Sequence, residues 1–304
     1  MKSERSYKGH LTILTVNIIF GLNTPITKSL MSDILTPYAL NFFRIAGACL
    51  LFWIISPFVK EEKVSRQDLI MLFFAGMLGV TINQFSFLTG LSMTSPINAA
   101  IIITLTPIIT MILAAVFQKE PITGKKITGV LIGASGAVFL ILTTIGMTNG
   151  TGNWLGNIFC LLSSLSYALY LTAFKGLITK HNPITLMKWM FLFSVITTVP
   201  FTLNEIEAIP WQMFSWSVSL RIFYVVVLAT FVTYILIPTG QKLLRPTTLS
   251  MYNYLQPLFA SSVAIVAGLD TFGWNTLLAA VLIFTGVYVV TQSKSRAQVL
   301  GEKK

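Results

Sequence analysis

Runs of about twenty predominantly apolar residues recur along almost the whole sequence, near 11–30, 35–57, 69–88, 96–117, 127–145, 155–174, 184–203, 219–238, 247–268 and 274–292. Each is long enough to cross a bilayer as one α-helix. None alternates with the period of two that a barrel strand would show. The pieces between them carry helix-breaking punctuation: Ser56-Pro57, Lys119-Glu120-Pro121, Asn149-Gly150-Thr151-Gly152, His181-Asn182-Pro183 and Arg245-Pro246. The expected fold is therefore an all-α membrane protein of ten transmembrane helices. Of the 304 residues only 10% are charged and mean hydropathy is +0.77. So little charge cannot keep a soluble surface wet, and ten spans leave only short loops and tails. This excludes a soluble enzyme, a nucleic-acid-binding module and a disulfide-stapled secreted domain. Residues 1–304 read as one transmembrane domain.

The basic residues are segregated by side. Alternate connections and the two tails hold seventeen of the 21 Lys and Arg residues, and the other set of loops holds none. Lys28, Arg44, Lys188 and Arg221 lie within or at the ends of spans. By the positive-inside rule both termini face the cytoplasm of a plasma or inner membrane. The net charge of +11 is then a topology signal, with anionic lipid headgroups as its partner and not nucleic acid. Cys49 and Cys160 sit in apolar runs and read as small buried hydrophobes. The basic N-terminus lacks a small-residue cleavage pattern, so the first run reads as an uncleaved helix.

The halves repeat. At one offset of 150, Gly90 falls on Gly240, Pro96 on Pro246, Thr106-Pro107 on Gln256-Pro257, Glu120 on Asp270 and Gly136 on Gly286. With small gaps, Pro37 pairs with Pro183 and Lys28 with Lys175. The repeats are expected over 10–145 and 153–293, with 294–304 a cytoplasmic tail. Five spans per half is an odd number, so the halves must run in opposite orientations. That is the inverted-repeat plan in which a solute site lies near the midplane between halves.

These features resemble the drug/metabolite transporter superfamily in its EamA-type branch. The resemblance rests on Phe20-Gly21-Leu22-Asn23 in the first span and Arg44 in the second. It also rests on fourth and ninth spans that start at proline and end at Glu120 and Asp270, and on Gly129, Gly133, Gly136 and Gly286. It covers about 10–293. It implies a basket-like bundle with a central cavity lined mainly by spans 1, 3, 4, 6, 8 and 9. It also implies solute transport, often export of amino acids or related metabolites.

Polar side chains inside the spans mark candidate cavity walls, since lipid satisfies none of them. Arg44 lies about ten residues, roughly 15 Å, from its helix end, too deep for easy snorkelling. Two roles are open to it: bracing the backbone of the first span, or meeting a substrate carboxylate. Asn23-Thr24-Pro25 is expected to interrupt that span, because proline frees a carbonyl one turn earlier. Asn23 either contacts solute or makes a packing bond. The ninth span contributes Tyr252, Asn253 and Gln256 before Pro257; Tyr252 and Gln256 share a face. The fourth contributes Asn98 and Thr106 before Pro107, the third Asn83 and Gln84, the sixth Tyr167 and Tyr170, and the eighth Tyr234. Gly129, Gly133 and Gly136 form a close-packing face; whether the protein is a monomer or a homo-oligomer stays open.

No acidic side chain falls inside a predicted span, so a neutral, zwitterionic or anionic solute is favoured. No metal site, cofactor motif or paired acid and base appears. The expected function is a secondary transporter, an exporter of small polar metabolites and above all of amino acids, working by alternating access. The alternatives are a carrier of another solute class (sugar, nucleotide sugar or drug) and, with no catalytic constellation to support it, a membrane-embedded enzyme acting on lipid-linked substrates.

Overall fold

The computed structural model describes residues 2–60, 62–94, 96–144, 153–266 and 273–293. Among these the structure is helical and contains no strand. The helices are α1 (Lys2–Asp33), α2 (Pro37–Ile55), α3 (Arg66–Gly76), α4 (Asn83–Met93), α5 (Pro96–Ile103), α6 (Thr106–Gln118), α7 (Gly124–Thr144) and α8 (Trp154–Ala173). They continue with α9 (Lys175–Lys180), α10 (Pro183–Glu207), α11 (Trp216–Phe223), α12 (Thr233–Leu243), α13 (Pro246–Met251), α14 (Leu255–Val266) and α15 (Trp274–Thr291). Among the described residues nine helices are long and apolar enough to cross a membrane. The expected ninth span is helical over 246–266 but broken by a 3-10 turn at Tyr252–Tyr254, so no single helix there reaches that length. Asp270, Asn149-Gly150-Thr151 and the tail 294–304 lie outside the described residues.

The loop punctuation acts as capping chemistry. Thr36, Ser65, Asn153, Asn182 and Ser215 each accept a backbone N–H at the start of a helix, and Pro37 and Pro183 stand at first-turn positions where no donor is needed. Lys119 closes α6 in the left-handed conformation, φ 51°. That turn brings the Glu120 N–H back onto Ala114 O at 3.1 Å and tucks the carboxylate under the helix.

Two long spans contain π-helical stretches, Met77–Ile82 joining α3 to α4 and Tyr224–Val232 joining α11 to α12. The continuous segments Arg66–Met93 and Trp216–Leu243 are thus longer than the expected 69–88 and 219–238. The fourth span breaks at Thr104-Leu105, between α5 and α6, and the ninth at Tyr252–Tyr254. Both breaks precede a proline, Pro107 or Pro257, that lacks the N–H its helix needs.

The first span departs from expectation. α1 runs unbroken through Pro25, whose ring is exposed on the outside of the bundle. One lost hydrogen bond on an outward face does not end a helix continuous on both sides.

α7 and α15 pack backbone to backbone. A Cβ on Gly286 would lie 2.5 Å from Gly133 N and 2.6 Å from Gly129 O, and one on Gly129 would meet Gly286 O at 2.8 Å. Gly133 also takes the ring of Tyr254, and Gly136 takes Leu282. The close-packing face read from the sequence is therefore an intramolecular contact. Cys49 and Cys160 are free and buried, Cys160 against Gly90.

Candidate functional site: a polar cavity at mid-depth

A cavity of about 110 Å³ lies inside the bundle. Its wall draws on α1 (Phe20, Asn23, Thr24), α2 (Arg44), α4 (Asn83, Gln84, Phe87), α8 (Ser163, Ser164, Tyr167) and α12 (Tyr234, Ile237). The broken fourth and ninth spans add Ile103, Thr106, Asn253 and Gln256. It adjoins a second void of about 70 Å³ that shares Thr24, Phe87, Ile103, Asn253 and Gln256 and reaches Gly21, Leu91, Ala99 and Ala100. Leu91, Ala99 and Ala100 lie toward the end of the bundle where α4 stops and α5 starts.

Most of the polar wall is tied to protein. Asn83 Nδ2 donates to Ser163 O and Oγ, both at 3.0 Å, joining the third span to the sixth. Gln84 Nε2 donates to the Tyr234 hydroxyl at 3.0 Å, which in turn donates to Gly79 O at 3.0 Å. Gly79 lies in the π-helical stretch, and Gln84 and Tyr234 are 150 residues apart, the repeat offset itself. Gln256 Nε2 donates to Asn17 Oδ1 at 3.0 Å and ties the ninth span to α1. Asn23 Oδ1 accepts from Thr27 Oγ1 at 3.2 Å within α1.

Arg44 is 4% exposed. Its Nε donates to Thr230 Oγ1 at 3.0 Å, and the Thr230 hydroxyl donates to Val225 O at 2.8 Å inside the second π-helical stretch. The bracing role expected of Arg44, donation to carbonyls near Asn23, is therefore not what the structure shows. α1 is unbroken, and the guanidinium is anchored to the eighth span instead. Among the described residues no carboxylate lines the cavity, which leaves Arg44 as the only formally charged group in its wall.

The structure brings nine of the sequence-derived candidates to this one wall: Asn23, Arg44, Asn83, Gln84, Thr106, Tyr167, Tyr234, Asn253 and Gln256. It places three elsewhere. Tyr252 turns toward the start of α1, its hydroxyl 2.7 Å from His10 Nδ1. Tyr170 is buried with its ring against Gly79. Asn98 donates to Thr94 Oγ1 at 3.5 Å near the start of the fourth span. Phe20, Thr24, Phe87, Ile103, Ser163, Ser164 and Ile237 complete the wall. The apolar ones carry no polar signal to mark them, whereas Thr24 adjoins Asn23 and the two serines lie within a turn of Tyr167.

Between the cavity and the end where α1 begins lies a layer of buried charge. Glu120, at the end of α6, is 3.0 Å from Lys126 Nζ of α7 and 3.6 Å from Arg245 Nε, and accepts from Thr247 Oγ1 at 3.0 Å. Lys175 of α9 donates to Leu244 O at 2.8 Å. Burial lowers its pKa to about 8, Glu120 opposing that shift and Arg245 adding to it. Beside this layer, Lys180 Nζ meets Asp68 Oδ2 at 2.6 Å, and His181 lies 3.2 Å from Asp68 and 3.5 Å from Glu62. At the opposite end Lys28 donates to Leu91 O at 3.0 Å. Each half thus sends a lysine to the carbonyl end of a π-containing span, one at each end of the bundle.

Comparison with known proteins fits this architecture. The EamA-like transporter family matches the chain twice, over residues 7–142 and 154–292. An uncharacterized transporter of Archaeoglobus fulgidus is 30% identical over 58% of this chain and 60% of its own length. The uncharacterized transporter YyaM of Bacillus subtilis is 23% identical over 91% of this chain and 93% of its own. A crystal structure at 16% identity superposes with a TM-score of 0.76, covering 100% of this chain and 99% of that one, which shows a shared fold.

Proposed function

The chain belongs to the EamA-like transporter family of multi-pass membrane proteins, and from that premise we propose that it exports small polar metabolites, amino acids or related compounds, across the cytoplasmic membrane by alternating access. The observation that carries this reading is the cavity. Polar groups from both halves converge at mid-depth on one void, adjoined by a second void toward one end and separated from the other end by the Glu120 layer. A binding site near the midplane between two repeats is what a rocking carrier uses. At a water's liquid share of about 30 Å³, 110 Å³ is room for roughly four waters, and the adjoining 70 Å³ void adds about two, which suits a small polar solute. The segregation of Lys and Arg supports cytoplasmic termini, with anionic headgroups against the basic end.

Counterflow tests the reading. Proteoliposomes preloaded with an unlabelled amino acid should transiently concentrate the labelled form, and protein-free vesicles should not. Absence of counterflow for every amino acid offered would overturn the amino-acid assignment, and absence for sugars and nucleotides as well would overturn the carrier reading.

A further inference from the structure

We propose that Arg44 sets the specificity of this cavity by binding the carboxylate of a zwitterionic solute, whose ammonium is taken by the backbone turns at Ile103 and Asn253. The inference rests on the carrier reading and names the solute class of that same cavity.

A guanidinium at 4% exposure in the middle of a membrane bundle must recover its lost hydration. Its Nε does so on Thr230. Among the described residues its two terminal nitrogens have no hydrogen-bond or ion-pair partner in the protein, and the side chain lines the void. The anchor also orients it. The Thr230 hydroxyl proton is committed to Val225 O, so the oxygen offers Arg44 a lone pair and fixes the guanidinium from its Nε side. What remains is the planar fork of terminal N–H groups, the geometry that pairs with a carboxylate through two parallel bonds. A solute with a positive charge and no anion meets only Arg44 as a formal charge in the wall and is repelled.

The other end of the solute meets acceptors. Pro107 and Pro257 have no N–H to donate to the carbonyls four residues earlier, those of Ile103 and Asn253; Asn253 O accepts from the Leu255 N–H instead and keeps one lone pair. Both residues line the same void, each at the break of its span. Unwound carbonyls at a helix break are where carriers hold cationic groups. One charged fork and two broken turns, whose residues line one small void, match a molecule that carries both charges.

The test pairs each of a panel of free amino acids with its carboxamide, and adds sugars and nucleosides. Counterflow and thermal stabilisation are measured on wild type, Arg44→Gln and Thr230→Val. Wild type should exchange free amino acids and prefer them to their amides about ten- to hundredfold, the worth of a charge-assisted pair. Arg44→Gln should bring that ratio near one. The ratio is taken within each preparation, so a loss of folded protein does not imitate the effect. Thr230→Val should lower the ratio by raising KM for free amino acids while leaving kcat nearly unchanged, as expected of a positioning residue. Exchange of sugars, nucleosides or amides alone, or an unchanged ratio in Arg44→Gln, overturns the assignment and leaves the carrier reading standing. No exchange of any member overturns both.

Discussion

Glu120 should be the most sensitive charge in the molecule. Its carboxylate is 6% exposed and Lys126, 3.0 Å away, is 1% exposed. Arg245 stands 3.6 Å off, and Lys175 donates close by to Leu244 O. Glu120→Gln keeps shape and volume but leaves three cations around a neutral amide. Removing one partner of a buried pair typically costs about 3–5 kcal/mol. The lower figure applies here, because Lys126 Nζ keeps its bond to Pro121 O at 2.9 Å and Arg245 is partly exposed. A loss of about 3 kcal/mol corresponds to a fall in Tm of roughly 6–12 °C on the scale of soluble domains of 150–250 residues. Differential scanning fluorimetry in detergent measures it. Adding Lys126→Met should recover part of the loss, since the second change removes the charge the first left unpaired. If Glu120→Gln melts within a degree of wild type, the layer is solvated and the burial argument fails.

Three further outcomes follow from the structure. Burial lowers the Lys175 pKa in the folded protein from 10.5 to about 8, so between those values the unfolded chain holds more protons. Its contribution makes stability rise with pH across that window, and Lys175→Met should flatten the rise in a pH series of melting curves. Gly286→Ala forces a methyl to within 2.6 Å of backbone atoms that cannot step aside; it should cost about 1–3 kcal/mol in denaturation measurements, whereas Gly124→Ala, with nothing within 4 Å, should not. Cysteine at Asn149 should react with an impermeant thiol reagent from outside intact cells and cysteine at Lys63 should not; labelling of Lys63 alone would invert the topology.

Much of this architecture is written locally in the chain. Span positions follow from apolar runs, and helix starts from Thr36-Pro37, Asn182-Pro183 and the capping serines, because those signals act within four residues. The glycines of α7 announce a close contact for the same reason. What the chain hides is which face of a helix meets which neighbour. Ser163, Ser166 and Tyr170 share a face, yet the structure turns Ser163, Ser164 and Tyr167 to the cavity. Ser166 donates to Leu78 O, and Tyr170 packs on Gly79. A helix polar on adjoining faces has no hydrophobic stripe to settle its rotation, so the neighbour settles it. The partnership of Arg44 with Thr230 spans 186 residues and depends on a π-helical stretch that has no residue signature. Pro25 misleads in the other direction: proline reports a lost donor, and whether that loss breaks the helix depends on what packs around it.

The bond between Gln84 and Tyr234 says where the cavity stands relative to the two halves. These residues occupy equivalent places, 150 apart, in the repeat read from the sequence, and they touch. Under the proposed inverted repeat, a position touches its own counterpart only near the axis that relates the halves. Both side chains line the cavity, so the cavity lies close to that axis as well. The proposed inverted repeat would place the two π-helical stretches, the two proline breaks and the lysines Lys28 and Lys175 on opposite sides of it; each lysine closes on a carbonyl at its own end of the bundle. A site near the axis keeps nearly the same wall when the halves exchange conformations, whereas the ends do not. Under the proposed alternating access, exchange would open the layer around Glu120 and close the void near Leu91, and a solute on the proposed Arg44 fork would change sides without leaving it.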